Sequence, residues 1–293
     1  MFDSYGRRIH YLRVSVTDRC NLRCRYCMPA EGVPWLPHDS ILSYEQITRL
    51  VTVAAGLGFD KVRLTGGEPL ARKGMVGLVR LLAGIPGISQ LGMTTNGILL
   101  LPLASDLAAS GLTSVNISLD TLDPTRYEYM TRGGQLSEAL AGIRAARAAG
   151  LPVKLNVVVG TGQGSGCPAG QAGQADPVAD APASAVLQPA SGIDELPAIE
   201  AFAASLGCAV QTIRQYRLDE PKRDDGDFMR PPPCDDCNRI RLLADGQLRP
   251  CLHGDATLPV DWSDIEGSLR ACVALKPPCG QQASHHFVNS IGG

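Results

Sequence analysis

Net charge is almost absent from this sequence. Twenty-seven Lys and Arg stand against 29 Asp and Glu, a formal charge of −2 over 293 residues, so no global basic field advertises a nucleic-acid surface. Long apolar runs are missing too. No uncharged apolar run approaches the ~20 residues that span a bilayer, and the opening residues MFDSYGRRIHYLRVSV hold neither an apolar leader core nor a cleavage site. The chain therefore reads as cytoplasmic, with no membrane partner. Wholesale disorder is excluded by an ordinary globular composition, 44% hydrophobic and 19% charged. Cysteine is the residue in excess. Ten of them in a reducing compartment are better read as metal ligands or reactive thiols than as disulfides.

The cysteines fall into two triplets and a remainder. Cys20, Cys24 and Cys27 lie in CNLRCRYC near the start, and Cys234, Cys237 and Cys251 lie in CDDCNRIRLLADGQLRPC near the end. A structural zinc closes with four ligands, and neither triplet has an obvious local fourth, although His253 follows Cys251 closely enough to complete a zinc knob. An iron–sulfur cube held by three thiolates instead keeps one iron open for a substrate. The tight first triplet suits wrapping a cube. Cys167, Cys208, Cys272 and Cys279 have no partner at ligand spacing and read as buried or incidental thiols.

Between residues 11 and 159, short β-like runs alternate with helical stretches. YLRVSV (11–16), KVRLTG (61–66), QLGMTT (90–95), SVNISLD (114–120) and VKLNVVV (153–159) read as strands. Ser43 and Gln46 form a capping box for a helix from Tyr44 to about Leu57 that presents Ile47, Leu50, Val51 and Ala54 on one face. GMVGLVRLLAG and SEALAGIRAARAAG continue the pattern. Repeated βα units mean a parallel sheet covered by helices, either a barrel or a doubly wound sheet.

Strands buried on both faces are almost continuously apolar, yet these carry polar residues at alternate positions. They are Arg13 and Ser15, then Lys61, Arg63 and Thr65, then Asn116, Ser118 and Asp120, and finally Lys154 and Asn156. Helices cover the apolar set Val62, Leu64, Ile117, Leu119, Val153 and Leu155, so the polar set faces a lumen. A wet antiparallel face would give the same alternation, but the intervening helices oppose it. Arg13, Lys61, Arg63 and Lys154 in one interior imply a wet cavity built for a polyanion. Functional residues in such folds sit on loops after strands. CNLRCRYC, GGEP (66–69) and TTNG (94–97) are three such loops. In GGEP, Gly66 and Gly67 allow the backbone to approach a ligand and Glu68 adds an acceptor for a cationic group.

From about 160 to 192 the composition turns to Gly, Ala, Pro, Gln and Ser, which reads as a flexible low-complexity loop. IDELPAIEAFAASLG reads as a helix and CAVQTIRQYRL as a sixth strand, followed by a charged linker, RLDEPKRDDGD. The expected division is 1–159 for the N-terminal part of the barrel, 160–192 for the loop, 193–220 for the last βα unit, and 221–293 for a C-terminal region.

CNLRCRYC, GGEP, TTNG, SLD, the second triplet with its CNRIR run, and the terminal Gly292–Gly293 pair together resemble the radical SAM superfamily, and within it the MoaA family of GTP 3′,8-cyclases in molybdenum cofactor biosynthesis. The resemblance implies an incomplete (β/α)6 barrel, a partial TIM barrel, with a C-terminal extension that binds a second iron–sulfur cluster. It implies that Cys20, Cys24 and Cys27 hold a 4Fe-4S cluster whose open iron binds S-adenosylmethionine, and that Cys234, Cys237 and Cys251 hold a second cube facing the guanine of GTP. Tyr26, Gly67 and Ser118 then match S-adenosylmethionine contacts, with Tyr216 a further one. Arg13, Arg63, Thr94, Lys154, Arg239, Ile240 and Arg241 match GTP contacts, and Arg13, Arg239 and Arg241 also match catalytic positions.

The implied reaction is reductive cleavage of S-adenosylmethionine to a 5′-deoxyadenosyl radical that takes the C3′ hydrogen of GTP, followed by ring closure at C8. An electron donor and a downstream cyclic pyranopterin monophosphate synthase of the MoaC type are the implied partners, with the enzyme a monomer or homodimer. The Gly292–Gly293 tail would thread toward the active site. The sequence departs from the family in its sixth strand, where Gln211, Arg214 and Tyr216 stand in place of an Arg-Phe-Ile-Glu run and a Met; no function is carried over to Gln211 or Arg214. The segment before Cys234 is also short. Two alternatives stay open at this point: another radical SAM enzyme with an auxiliary cluster, such as a peptide-modifying one, and a zinc-stabilised binding protein.

Overall fold

The computed structural model describes residues 1–159, 194–215, 222 and 232–283. The 160–192 loop, Cys167, Tyr216, most of the charged linker and the Gly292–Gly293 tail lie outside these described residues. Six parallel strands follow in chain order, β1 (Tyr11–Ser15), β2 (Lys61–Thr65), β3 (Gln90–Thr95), β4 (Ser114–Ser118), β5 (Val153–Val159) and β6 (Ala209–Arg214), each pairing with the next. Helices α1 (Tyr44–Gly56), α2 (Met75–Ala83), α3 (Ala104–Ala109), α4 (Pro124–Thr131), α5 (Leu136–Ala148) and α6 (Leu196–Ser205) lie between them. The Ser43–Gln46 capping box forms at the start of α1 in both directions, satisfying backbone donors the helix leaves open.

The sheet does not close between β1 and β6. A seventh strand, β7 (Arg239–Leu242), pairs in parallel with the free side of β1, and β8 (Gln247–Arg249) and β9 (Leu258–Pro259) extend it antiparallel. The strand order is β6-β5-β4-β3-β2-β1-β7-β8-β9. A last helix, α7 (Ile265–Ala274), opens on an Asp264 cap and packs against α1. The CNRIR run is thus a strand of the main sheet, joined where Asn238 O accepts from the backbone N–H groups of His10 and Tyr11.

The period-two alternation sorts the two faces as expected of a helix-covered sheet. Val62, Leu64, Ile117, Leu119, Val153 and Leu155 are all buried in one continuous core with the inner faces of the helices. The opposite face carries the polar set into a central cavity, except Asp120 and Ser15; the buried Ser15 hydroxyl donates to Thr17 O instead. Because every pairing from β7 to β6 is parallel, the wet antiparallel face is excluded. Among the described residues no helix is long and apolar enough to cross a membrane.

Candidate active site

All six triplet cysteines line one cavity of about 360 Å³, although they come from opposite ends of the chain. Its volume is in the range of small-ligand sites. Its walls are the polar face of the sheet. Two rows of side chains cross three strands in register: Lys61, Tyr11 and Arg239 in one, and Arg63, Arg13 and Arg241 in the next. Like charges directly opposite on neighbouring strands are destabilising. Lys154, Arg214 and Lys222 add to the same cavity, where among the described residues Glu68 is the one carboxylate in the lining.

Tyr11, which the sequence gives no reason to single out, sits at the centre of this charge. Lys61 and Arg239 lie 5.0 and 5.3 Å from its ring centre, and Arg63 Nε donates to its hydroxyl at 3.1 Å. Burial alone would raise its phenol, but Arg13, Arg63, Arg239 and Lys61 outweigh burial and bring it down to about 8. Arg63 is also oriented by Met93 O and Asn116 Oδ1, both at 2.9 Å. Its guanidinium lies over Gly92, where a Cβ would come within 2.7 Å of it. The lone glycine of QLGMTT is therefore the space Arg63 occupies.

The first triplet is braced by the other two loops. Gly67 N–H donates to Thr17 O at 2.9 Å and Glu68 N–H to Arg19 O at 2.8 Å, so GGEP lies directly against the chain entering Cys20. The two glycines serve this approach between protein backbones: a Cβ on Gly66 would meet Thr17 O at 2.4 Å, and one on Gly67 would meet Arg19 O at 2.3 Å. Glu68 also departs from the reading that it offers a free acceptor to a cation. Its oxygens take Leu70 N–H at 3.0 Å, Thr95 Oγ1 at 2.7 Å and Asn96 N–H at 2.8 Å, and burial raises its carboxyl to about 7 against those donors. Asn96 Nδ2 then reaches Asn21 Oδ1 at 2.8 Å. From the other side, Arg25 N–H donates to Met130 O at 2.9 Å, Arg25 Nε to Tyr129 O at 2.9 Å, and Arg132 to Arg23 O and Met28 O. Asp120, expected in the main lumen, lines a small adjoining pocket with Tyr26, and the two side chains are hydrogen-bonded.

The second triplet is braced by two buried arginines. Arg249, fully buried, donates to the carbonyls of Cys251, Leu252 and Gly254. Arg7 pairs with Asp3 at 2.6 Å and donates to Cys234 O at 2.9 Å. His253 lines the cavity, and burial, reinforced by Lys222, Arg241 and Arg249, lowers its imidazole to about 4.

The Radical SAM superfamily profile matches residues 14–165. The chain is 43% identical over 327 residues to a GTP 3′,8-cyclase of Moorella thermoacetica, spanning 99% of this chain and 96% of that protein. The chain belongs to the GTP 3′,8-cyclase family of radical SAM proteins. A second relative of the same name, from Peptoclostridium acidaminophilum, is 40% identical over 92% of this chain and 87% of its own length. Among solved structures, Streptococcus suis SuiB bound to S-adenosylmethionine superposes with a TM-score of 0.59 at 14% identity, over 88% of this chain and 65% of that one. That likeness concerns the fold, an α/β radical SAM architecture with a parallel sheet.

Radical SAM enzymes use S-adenosylmethionine with a 4Fe-4S cluster, and the donor set here fits such a centre. Cys20, Cys24 and Cys27 are free thiols. Burial, with Cys27 and Cys20 crowding beside it, pushes the Cys24 thiol well up, a strain that positively charged iron relieves. Among the described residues no three His, Cys, Asp or Glu side chains group closely enough to hold a single metal ion, and that applies to both triplets alike. Tyr26, Gly67, Ser118, Arg13, Arg63, Thr94, Lys154, Arg239 and Arg241 all border the cavity. Ile240 does not. Lying between Arg239 and Arg241 on a strand of period two, its side chain turns into the core and is fully buried. Gln211 and Arg214, to which no role was carried, also line the cavity, with Gln211 Nε2 donating to Asn156 Oδ1 at 3.3 Å.

Proposed function

We propose that this protein converts GTP to 3′,8-cyclo-7,8-dihydro-GTP, the first step of molybdenum cofactor biosynthesis. One observation carries the reading beyond the relatives' name: two three-thiol sites and two cross-strand rows of cations share one cavity. Cys234, Cys237 and Cys251 hold a second 4Fe-4S cluster in a C-terminal extension of the barrel. Bound S-adenosylmethionine and its cluster supply the hydrogen-abstracting radical. The protein's own residues bind and orient the nucleotide. Arg13, Arg63, Lys154 and Thr94 grip GTP, with Arg13, Arg239 and Arg241 also stabilising charge that develops as C3′ is joined to C8. Charge-assisted hydrogen bonds from such guanidinium forks are well matched to phosphate. Holding C3′ in reach of the radical centre and excluding water is the larger part of the protein's contribution.

Tyr26, Gly67 and Ser118 contact S-adenosylmethionine, together with Tyr216. The unstable product passes to a cyclic pyranopterin monophosphate synthase, and the enzyme works in the cytoplasm as a monomer or homodimer. The test is anaerobic incubation of reconstituted protein with S-adenosylmethionine, a reductant and GTP. Both 5′-deoxyadenosine and the cyclised nucleotide are expected. Deoxyadenosine with unchanged GTP would overturn the cyclase reading and leave a radical SAM enzyme of other substrate.

A further inference from the structure

The second triplet is enclosed by a short run, KPPCGQ (276–281), that the roles above leave unused. Lys276 follows α7 and is 3% exposed. Its Nζ donates to Arg239 O and Pro250 O, both at 2.8 Å, and to Cys237 Sγ at 3.4 Å. Four residues on, Gly280 N–H donates to Cys234 Sγ at 3.3 Å, and Gln281 N–H reaches His253 O at 3.1 Å. Arg7 pins the middle of the run through Pro277 O at 2.7 Å and Pro278 O at 3.0 Å. Gly280 is required by the same packing, since a Cβ there would meet His253 Cβ at 2.8 Å.

A buried ammonium whose other acceptors are two neutral carbonyls, with no carboxylate in ion-pair reach among the described residues, is costly unless an anion stands beside it. The Cys237 sulfur is the atom in that place. As a thiolate, or as part of the anionic cube three thiolates hold, it supplies the missing charge. Hydrogen bonds to cluster sulfurs and nearby charge are also what set a cluster's reduction potential.

We propose that Lys276 and the Gly280 N–H form the outer coordination of the second cluster, holding Cys237 and Cys234 in place and raising the cluster's reduction potential. The inference rests on the reading of Cys234, Cys237 and Cys251 as cluster ligands. Lys276 is a positioning residue: it touches a ligand sulfur and ties the Cys237 and Cys251 segments together through Arg239 O and Pro250 O.

The test uses the full chain carrying C20A, C24A and C27A, so that bound iron reports the second site alone. This protein is expected to bind about four irons; binding none would overturn the ligand reading itself. An EPR-monitored redox titration then compares it with K276M and K276R in the same background. K276M is expected to shift the oxidised-to-reduced ratio at least tenfold at fixed potential, about 59 mV toward negative for a one-electron couple. K276R should stay within about threefold of the parent, because it restores a buried cation with N–H donors. An unchanged K276M potential overturns the proposal. If K276M fails to retain iron and K276R retains it, the positioning role stands; if both lose it equally, a role for the charge is refuted.

Discussion

Replacing Gly67 by alanine adds one methyl group at the point where two functional loops touch. That methyl would sit 2.3 Å from Arg19 O, 2.6 Å from Arg19 C and 2.7 Å from Asp18 O. All three are backbone atoms, so no rotamer change relieves the contact. Restoring ordinary contact near 3.5 Å requires the GGEP turn and the Cys20 loop to part by about 1 Å. The movement weakens the Gly67 N–H to Thr17 O and Glu68 N–H to Arg19 O bonds, worth about 1 kcal/mol each. Overpacking adds about 1–3 kcal/mol. The sum, about 3–5 kcal/mol, should lower the melting temperature by roughly 5–8 °C for a chain of this size. Displacing Cys20 by about 1 Å should also slow S-adenosylmethionine cleavage by on the order of 100-fold. The assays are thermal melting of the metal-free protein and deoxyadenosine release from the reconstituted one. Gly77→Ala is the control: Gly77 is an exposed residue of α2 with no atom within 4 Å of an added Cβ, and it should gain about 0.5–1 kcal/mol. If G67A melts with wild type and cleaves at the wild-type rate, the close approach is not what those glycines provide.

The Asp3–Arg7 pair has side chains 0% and 7% exposed, so D3A, which strands a buried guanidinium, should cost about 3–5 kcal/mol by urea denaturation. Burial opposes ionisation of Asp3, but the N–H groups and charge of Arg7 lower its carboxyl overall. A carboxylate lowered on folding stabilises above its unfolded value near 4 and loses that contribution as pH falls through the folded value. The gap between wild type and D3N should therefore narrow in acid, and an equal gap at pH 7 and about pH 3 would contradict the pairing. Alkaline difference absorbance should show a tyrosine titrating at about 8 that Y11F removes. Inorganic triphosphate should move that titration upward by neutralising the cations around it. A first phenol titrating only near 10 would refute the account. Lys154→Met should weaken GTP binding by about 10- to 150-fold, the loss of one charged hydrogen bond of about 1.5–3 kcal/mol, measured by calorimetry; an unchanged affinity would remove Lys154 from the binding wall.

Much of this arrangement is legible along the chain because strand alternation is a local property. The positions of Arg13, Lys61, Arg63, Lys154 and Asn156 on one face follow from period two, and the capping box at Ser43 follows from two residues. The bounds of α3, with six residues, and of α4 carry too weak a stripe to be read in the same way. The pairing of β7 with β1 joins residues more than two hundred positions apart, and no local pattern names the partner of a strand. Glu68 shows the same limit in the site. Its chemistry is visible in the sequence, but the donors that consume its oxygens come from the TTNG turn and become apparent only in space. Tyr11 and Lys276 belong to no motif, and each acquires its importance from the charges that surround it.

The open edge of the sheet explains why the two triplets share a cavity. Were β6 to pair with β1, the barrel would close and β7 would have no place beside Tyr11–Ser15. With β7 there, and parallel to β1, Cys20, Cys24 and Cys27 follow the C-terminal end of β1 while Cys234 and Cys237 precede the N-terminal end of β7. Cys251 follows β8, which runs antiparallel to β7, and so returns to that same end. The first triplet therefore stands at one mouth of the lumen and the second at the other. The five residues of β1, at about 3.3 Å each, put the two mouths roughly 15 Å apart. Between them lie the two rows, Lys61–Tyr11–Arg239 and Arg63–Arg13–Arg241. The cations of those rows repel one another, and a multiply charged anion lying along the lumen would relieve that repulsion. Phosphate groups of the kind a nucleoside triphosphate carries are well matched to these guanidinium and ammonium groups. A near-neutral chain can thus carry a strongly cationic cavity wall, because its charges are unevenly distributed over the fold.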